Sequence, residues 1–242
     1  MSGAPSRSQP ANPSVLRVEG LTAWYDPQRV VLDRVALDIP ERSVVGLLGA
    51  NGAGKTTLIN CLSGVHDGLR VDRVSGRAGF SRLSDPVFVG GRYAVFTESH
   101  GFQSWTFDKY VGFLERVYRI RLDPGVVQEL ASRFHFDPYR AARLSSLSTG
   151  NRKKAFLIAG LALRLPLLIL DEPTDALDFE GTEYLYEAIS AYRAHGSVFM
   201  SSHVAESFER CCDSVCVLKG GSLSEPHPVD DAAAIRGLVG LE

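Results

Sequence analysis

The sequence predicts an α/β fold: short apolar strands alternating with helices about a parallel sheet, with a β layer in front and a helical insert in the middle. Three observations carry this. The apolar run Val44-Val45-Gly46-Leu47-Leu48 leads into Gly49-Ala50-Asn51-Gly52-Ala53-Gly54-Lys55-Thr56-Thr57 and then Leu58-Ile59, a strand, a glycine turn and a helix in succession. Leu167-Leu168-Ile169-Leu170 is apolar without alternation, as a strand covered on both faces must be. Beyond it, strand-like and helix-like patterns alternate to about residue 218.

Taken in order, residues 1–14 are rich in Pro, Ser, Ala and Gly without periodicity and read as a disordered leader. Apolar clusters at Val15-Leu16-Val18, Val30-Val31-Leu32 and Val35-Leu37-Ile39, broken at Asp26-Pro27 and Pro40, predict short strands joined by turns. A strand over 43–48 and a helix over 55–63 follow. Residues 64–92 suggest turns and edge strands around Val71 to Phe80. Phe107, Tyr110, Val111, Leu114, Val117 and Tyr118 recur at three- and four-residue steps, predicting a helix. A second is expected from Val126 to Phe134 after the Asp123-Pro124-Gly125 break, and a third from Thr149 to a stop at Pro166. Strand 167–170, helix 180–193, strand 197–201, helix 203–211 and strand 214–218 complete the series. The expected organisation is one domain over 15–224, with a helical insert at about 99–160, and a tail over 225–242.

With 242 residues, 45% apolar and 22% charged, the chain has ordinary globular composition and enough length for a real core. The net charge of −2 gives no global pull toward nucleic acid, so no nucleic-acid partner is expected. No run of about 18 apolar residues is long enough to span a bilayer, and the N-terminus lacks a signal-peptide core. The four cysteines, Cys61, Cys211, Cys212 and Cys216, have neither C-x-x-C spacing nor a disulfide-scaffold pattern and are read as reduced core residues.

The glycine turn carries the chemistry. Gly49, Gly54, Lys55 and Thr56 fill G-x-x-x-x-G-K-[ST], in which successive backbone N–H groups and a helix N-terminus cradle polyphosphate. Gly49, Gly52 and Gly54 allow backbone angles and a close phosphate approach that a side chain forbids. Lys55 is expected to reach the β- and γ-phosphates and Thr56 to ligate Mg²⁺. Asp171 and Glu172 end an apolar strand, where ligands bind in open α/β sheets. Asp171 is the natural Mg²⁺ holder, and Glu172 is placed to take a proton from an attacking water.

GANGAGKTT (49–57), LSTGNRKK (147–154), LLILDEPTDALD (167–178) and SSH (201–203) together resemble, in order and spacing, the nucleotide-binding subunit of an ABC (ATP-binding cassette) transporter. The resemblance covers about 15–224. It implies a RecA-like P-loop NTPase core with an antiparallel β subdomain and a helical subdomain that bears the LSTG signature. It also implies ATP and Mg²⁺ as cofactors, held by the whole loop, Asn51, Ala53 and Thr57 included. The signature, and the lack of N-K-x-D, argue against a GTPase. Ser148, Thr149 and Gly150 begin a helix with Ser148 as N-cap, making a second anion site. In the family that site closes on the γ-phosphate held by another subunit, so a homodimer or heterodimer of nucleotide-binding subunits is implied.

Tyr25 matches the family's adenine-stacking aromatic, with Trp24 as the neighbouring alternative. His203 matches the switch histidine, and Ala176-Leu177-Asp178 the loop that crosses the dimer interface. The family's sensor glutamine is replaced: the best register puts Glu98 there, as a third metal-side carboxylate, with Gln103 the second candidate. Glu41-Arg42-Ser43, where the family has Gly-Glu, is expected to alter only a turn. The resemblance implies a transport-coupled ATPase working with a separate transmembrane permease, cytoplasmic and peripheral on the inner face of the cell membrane. LSTGNRKK resembles export-type subunits, which favours efflux over import. Phe102, Trp105 and Phe107 are candidates for the permease groove or for packing within the insert. Two rivals stand beside this reading: a soluble ABC ATPase clamping nucleic acid or the ribosome, and an ATP-binding module without turnover.

Overall fold

The computed structural model describes residues 13–97 and 101–230. The β layer comes first and is simpler than the sequence suggests. In place of several short strands there are two long ones, β1 (Ser14–Asp26) and β2 (Arg29–Pro40), paired antiparallel. Asp26-Pro27 makes the hairpin turn, in which Gln28 N–H donates to Asp26 Oδ1 at 3.0 Å. The pattern looked broken because a bulge between Val18 and Leu21, at Gly20 with φ +68°, shifts the inward-facing set by one residue. The far side of β1 pairs with β4 (Leu69–Arg70) and β5 (Arg73–Ser75).

The central sheet is built around β3 (Val44–Leu48), which leads through the glycine turn into α1 (Lys55–Ser63). After α2 (Pro86–Gly90), β6 (Arg92–Val95) adds a parallel strand at one edge of the sheet, just past the 64–92 stretch for which turns and edge strands were expected. The insert follows: α3 (Phe107–Tyr118), α4 (Pro124–Arg133) and α5 (Thr149–Leu163). α4 starts two residues before the expected position because Asp123 caps it and Pro124 suits the first turn. The chain then lays down β7 (Leu167–Leu170), α6 (Phe179–Tyr192), β8 (Ser197–Ser202), α7 (Glu206–Cys211), β9 (Ser214–Lys219), β10 (Ser222–Leu223) and β11 (His227–Pro228). α7 begins three residues later than expected, which leaves His203 in a loop at the end of β8.

The strand order is β10-β9-β3-β8-β7-β6, with β11 pairing β9. β9, β3, β8, β7 and β6 are parallel, while β10 and β11 are antiparallel to β9. Both faces of this sheet are buried. Val44, Leu48, Leu168 and Leu170 face a core shared with α3–α6, whereas Val45, Leu47, Leu167 and Ile169 face one shared with α1 and the β layer. That explains why β7 shows no alternation. All four cysteines are free and buried in these cores. Among the described residues no helix is long and apolar enough to cross a membrane.

Candidate nucleotide site

The C-terminal ends of β3, β7 and β8 face one cavity of about 1080 Å3, lined by Tyr25, Asn51, Gly52, Gly54, Lys55, Thr56, Thr57, Asp171, Glu172 and His203. Gly52 (φ +80°) and Gly54 (φ +106°) hold left-handed backbone, which turns consecutive N–H groups inward ahead of α1. Gly49 and Ala53 lie on the back of the loop, facing β9. A Cβ at Gly49 would come within 2.8 Å of the Leu218 carbonyl oxygen, so the loop packs too closely on β9 for any side chain there.

Lys55 is buried (6% exposed), and its Nζ donates to Gly49 O at 2.7 Å and lies 3.3 Å from Glu172 Oε1. The loop cation and the strand-end carboxylate are thus already paired across the cavity. Asp171 (1% exposed) is held by hydroxyls: Ser201 Oγ donates to Oδ1 at 2.8 Å, while Thr56 and Thr97 Oγ1 donate to Oδ2 at 3.1 and 3.0 Å. Thr56 and Asp171 together offer the hard oxygen donors that Mg²⁺ prefers, beside a phosphate cradle, so the donor set fits that ion. Glu98 lies outside the described residues. Gln103 is exposed, and its carbonyl accepts from Ser145 N–H at 2.9 Å.

Glu172 itself sits at φ +43°, an unusual angle for a residue with a Cβ, and strain of this kind gathers where a side chain must be aimed. Its N–H donates to Ser201 Oγ at 2.9 Å, and its Oε2 lies 3.0 Å from His203 Nδ1. His203 N–H also donates to Oε2, at 3.2 Å, so both backbone and ring fix the carboxylate. Asp175 stands beside them; one ligand atom each from Glu172, Asp175 and His203 lies within 4.8 Å of the others.

Tyr25 is two-thirds exposed on the cavity rim, and its hydroxyl is 3.3 Å from Thr57 Oγ1. The His66 ring meets it edge-on at 4.8 Å. Trp24, the alternative aromatic, does not line the cavity. Ser148, Thr149 and Gly150 do not line it either; Ser148 and Thr149 are exposed at the start of α5, where Asn151 N–H donates to Ser148 Oγ at 3.2 Å. The α5 N-terminus and the glycine loop are therefore two separate helix starts on one chain.

Sequence reasoning missed several supporting groups. Thr97 and Ser201 hold Asp171, and a hydroxyl at a strand end gives no pattern by itself. Lys153 (5% exposed) donates from Nζ to the main-chain oxygens of Asp171 at 3.0 Å and Phe96 at 3.3 Å. Burial pushes its ammonium down to about 8, and nearby Asp171, Asp175 and Glu172 only partly offset this. Lys154 donates to Asp178 Oδ2 at 2.7 Å, and this bond is the chief cause holding Asp178 below the ordinary carboxylate value. Phe107, one of the groove candidates, is wholly buried against Phe136, whereas Phe102 is 37% exposed and packs on Trp105 and Phe113.

A strand-turn-helix phosphate cradle with acidic residues at the neighbouring strand ends defines the class: a nucleoside triphosphate-binding α/β protein. The ABC transporter family model matches residues 32–175, more than half of the chain, and the chain belongs to that family. It is 35% identical over 228 residues to a Bacillus subtilis protein named as the ABC transporter ATP-binding protein AlbC, covering 92% of this chain and 95% of the relative. It is also 30% identical over 236 residues to the Nod factor export ATP-binding protein I of Ralstonia nicotianae (90% and 71% covered). The arabinose import ATP-binding protein AraG of Rhizobium meliloti is 29% identical over 224 residues (88% and 43% covered). Among solved structures, an ATP-binding subunit of an ABC transporter superposes with a TM-score of 0.80 at 25% identity, covering 94% of this chain and 95% of that one. This agrees with the RecA-like α/β expectation. The relatives include importers and exporters alike.

Proposed function

We propose that this chain is the ATP-hydrolysing subunit of an ABC exporter, dimerising on ATP and driving a separate transmembrane permease. The observation that carries the reading is the pairing of Glu172 with both Lys55 and His203 at the floor of the cavity, 3.3 Å on one side and 3.0 Å on the other. A module that only held nucleotide would have no need of a carboxylate aimed this way at φ +43°.

In this reading the triphosphate lies along the loop N–H groups, and its γ-phosphate takes the place of Glu172 as the partner of Lys55. Glu172, released from the lysine and still fixed by His203, accepts the proton of a water attacking the γ-phosphorus in line with the leaving ADP oxygen. Lys55 neutralises the charge that spreads over the phosphoryl oxygens. Thr56 and Asp171 would hold Mg²⁺, which would supply further charge neutralisation to the phosphates. Tyr25 stacks on the base without reading its edges.

The exposed Ser148–Gly150 end supports a shared site, in which a second copy or a homologous subunit supplies its α5 N-terminus to the γ-phosphate. The permease contact is assigned to the surface of Phe102 and Trp105, beside a cavity lined by Trp105, Lys109, Gly112 and Arg116. Export is favoured over import on LSTGNRKK alone, the named relatives including both kinds. The test is co-expression with any multi-span membrane protein found encoded beside this chain, followed by purification from detergent-solubilised membranes and measurement of phosphate release. A stable complex with Mg²⁺-dependent turnover is expected. Recovery of the chain only in soluble fractions, bound to RNA or ribosomes, would favour the clamp reading.

A further inference from the structure

Away from the nucleotide site, a cavity of about 560 Å3 opens between the C-terminal end of α1, the β4–β5 edge and the start of β6. Its floor is the guanidinium of Arg92, which is only 6% exposed. A buried guanidinium normally faces a carboxylate, because an unpaired buried charge is costly. Here, among the described residues, it has none. Nη1 donates to Leu83 O at 2.8 Å, the cation lies 4.4 Å from the Phe88 ring centroid, and the one charged group that favours the cation is the Tyr118 phenol, not a carboxylate. Burial instead drives its pKa down to about 10. Nη2 points to Gly64, where a Cβ would approach it within 2.6 Å, so the glycine keeps room around the fork.

A second group in the same wall lacks a partner altogether. Ser63 Oγ is buried and has no hydrogen-bond partner among the described residues. Arg73 and Arg82 stand exposed on the rim, and neither forms an ion pair among the described residues. Two acidic residues also line the cavity. Asp72 folds its carboxylate against the backbone of Gly20, and Asp67 is exposed at the outer edge. The cavity is thus lined by one buried and two exposed arginines and an orphan hydroxyl, and among the described residues no carboxylate is paired to any of them.

We infer that this cavity is a second anion site, distinct from the nucleotide cavity, that binds a phosphate-bearing molecule through Arg92, Arg73, Arg82 and Ser63. Phosphate matches the set: its oxygens accept from planar guanidinium forks two at a time and from a hydroxyl as well. The volume exceeds what inorganic phosphate fills and falls in the range of small-metabolite sites, so the phosphate belongs to a larger molecule. That molecule is either a soluble metabolite or a lipid headgroup.

The test uses the full chain carrying Lys55→Ala, which weakens the glycine loop, so that binding elsewhere is read separately and independently of ATP turnover. Isothermal titration with inorganic pyrophosphate probes the soluble source; sedimentation with phosphatidylcholine vesicles doped with phosphatidic acid probes the lipid source. Saturable binding of either probe is expected, weakened about tenfold or more by Arg73→Ala/Arg82→Ala, an exposed pair whose loss leaves the core untouched. Arg92→Gln is expected to abolish it, and circular dichroism of that variant reports whether it has folded. Pyrophosphate binding identifies a soluble ligand, and vesicle binding alone identifies a headgroup. If neither probe binds, or if binding ignores the Arg73/Arg82 double substitution, the site does not exist.

Discussion

Lys55 Nζ lies 3.3 Å from Glu172 Oε1, and both side chains are nearly closed off from solvent. In the proposed mechanism this cation meets phosphate and this carboxylate meets water, and nucleotide separates the two. Removing one partner of such a pair leaves the other buried and uncompensated.

Glu172→Gln separates these roles. The amide keeps the shape, can still accept from His203 N–H, and frees Lys55 from a competing charge. Turnover is expected to fall about a hundredfold or more while ATP affinity holds or rises. Phosphate release and binding of a fluorescent ATP analogue measure the two effects, and unchanged turnover would remove Glu172 from its proposed role.

Asp171→Asn tests the metal side. Three hydroxyls donate to this carboxylate, and the amide nitrogen cannot accept the bond it replaces. The Mg²⁺ concentration for half-maximal ATPase is expected to rise at least about tenfold. Thr97→Val should move it less, because Thr97 acts only through Asp171. Equal effects would mean that the hydroxyl array, not the carboxylate, sets the metal site.

Gly150→Ala probes the signature end. A Cβ there would collide with the Ala176 carbonyl oxygen, and Ala176 itself sits at φ +65°. ATP-dependent dimerisation, followed by light scattering, should be lost while monomeric ATP binding is retained. Ser148→Ala is milder, costing roughly 1 kcal/mol of helix capping. Dimers of full strength in Gly150→Ala would place the shared site elsewhere.

The thiols give a pH test. Burial pushes Cys61 and Cys216 up to about 12, from 9.0. Below pH 9 these groups are neutral in both states and stability is unaffected. Above it the unfolded thiols ionise while the folded ones do not, so stability falls as pH climbs from about 9 toward 12. The urea midpoint should drop between pH 8 and 10 by more in the parent than in Cys61→Ala/Cys216→Ala, and a disulfide-exchange reagent at pH 8 should label none of the buried cysteines until urea is added.

How much of this was legible beforehand depended on whether chemistry or packing placed each residue. The glycine loop, α1 and β7 were readable to the residue, because phosphate binding dictates residue types at fixed spacing and a doubly covered strand shows an unbroken apolar run. Tyr25 was chosen over Trp24 by motif and stands on the cavity rim. β1 and β2 were misread as fragments because register shifts along the pair, one at Gly20 in β1 and one near Arg34 (φ +46°) in β2, interrupt the alternation. β6 escaped notice because it begins with Arg92, a charged residue at a buried strand position. Lys153 was hidden for the same reason: a helical lysine reads as surface until the fold turns it inward.

That buried lysine has a mechanical consequence. Its two acceptors are main-chain carbonyls at the ends of β6 and β7, so the connection is indifferent to which side chains stand at 96 and 171. It answers only to where the backbone lies. Any swing of the insert about the sheet must therefore either drag those strand ends along or snap both bonds. The N-terminal half of α5 is in this way geared to the floor of the nucleotide cavity.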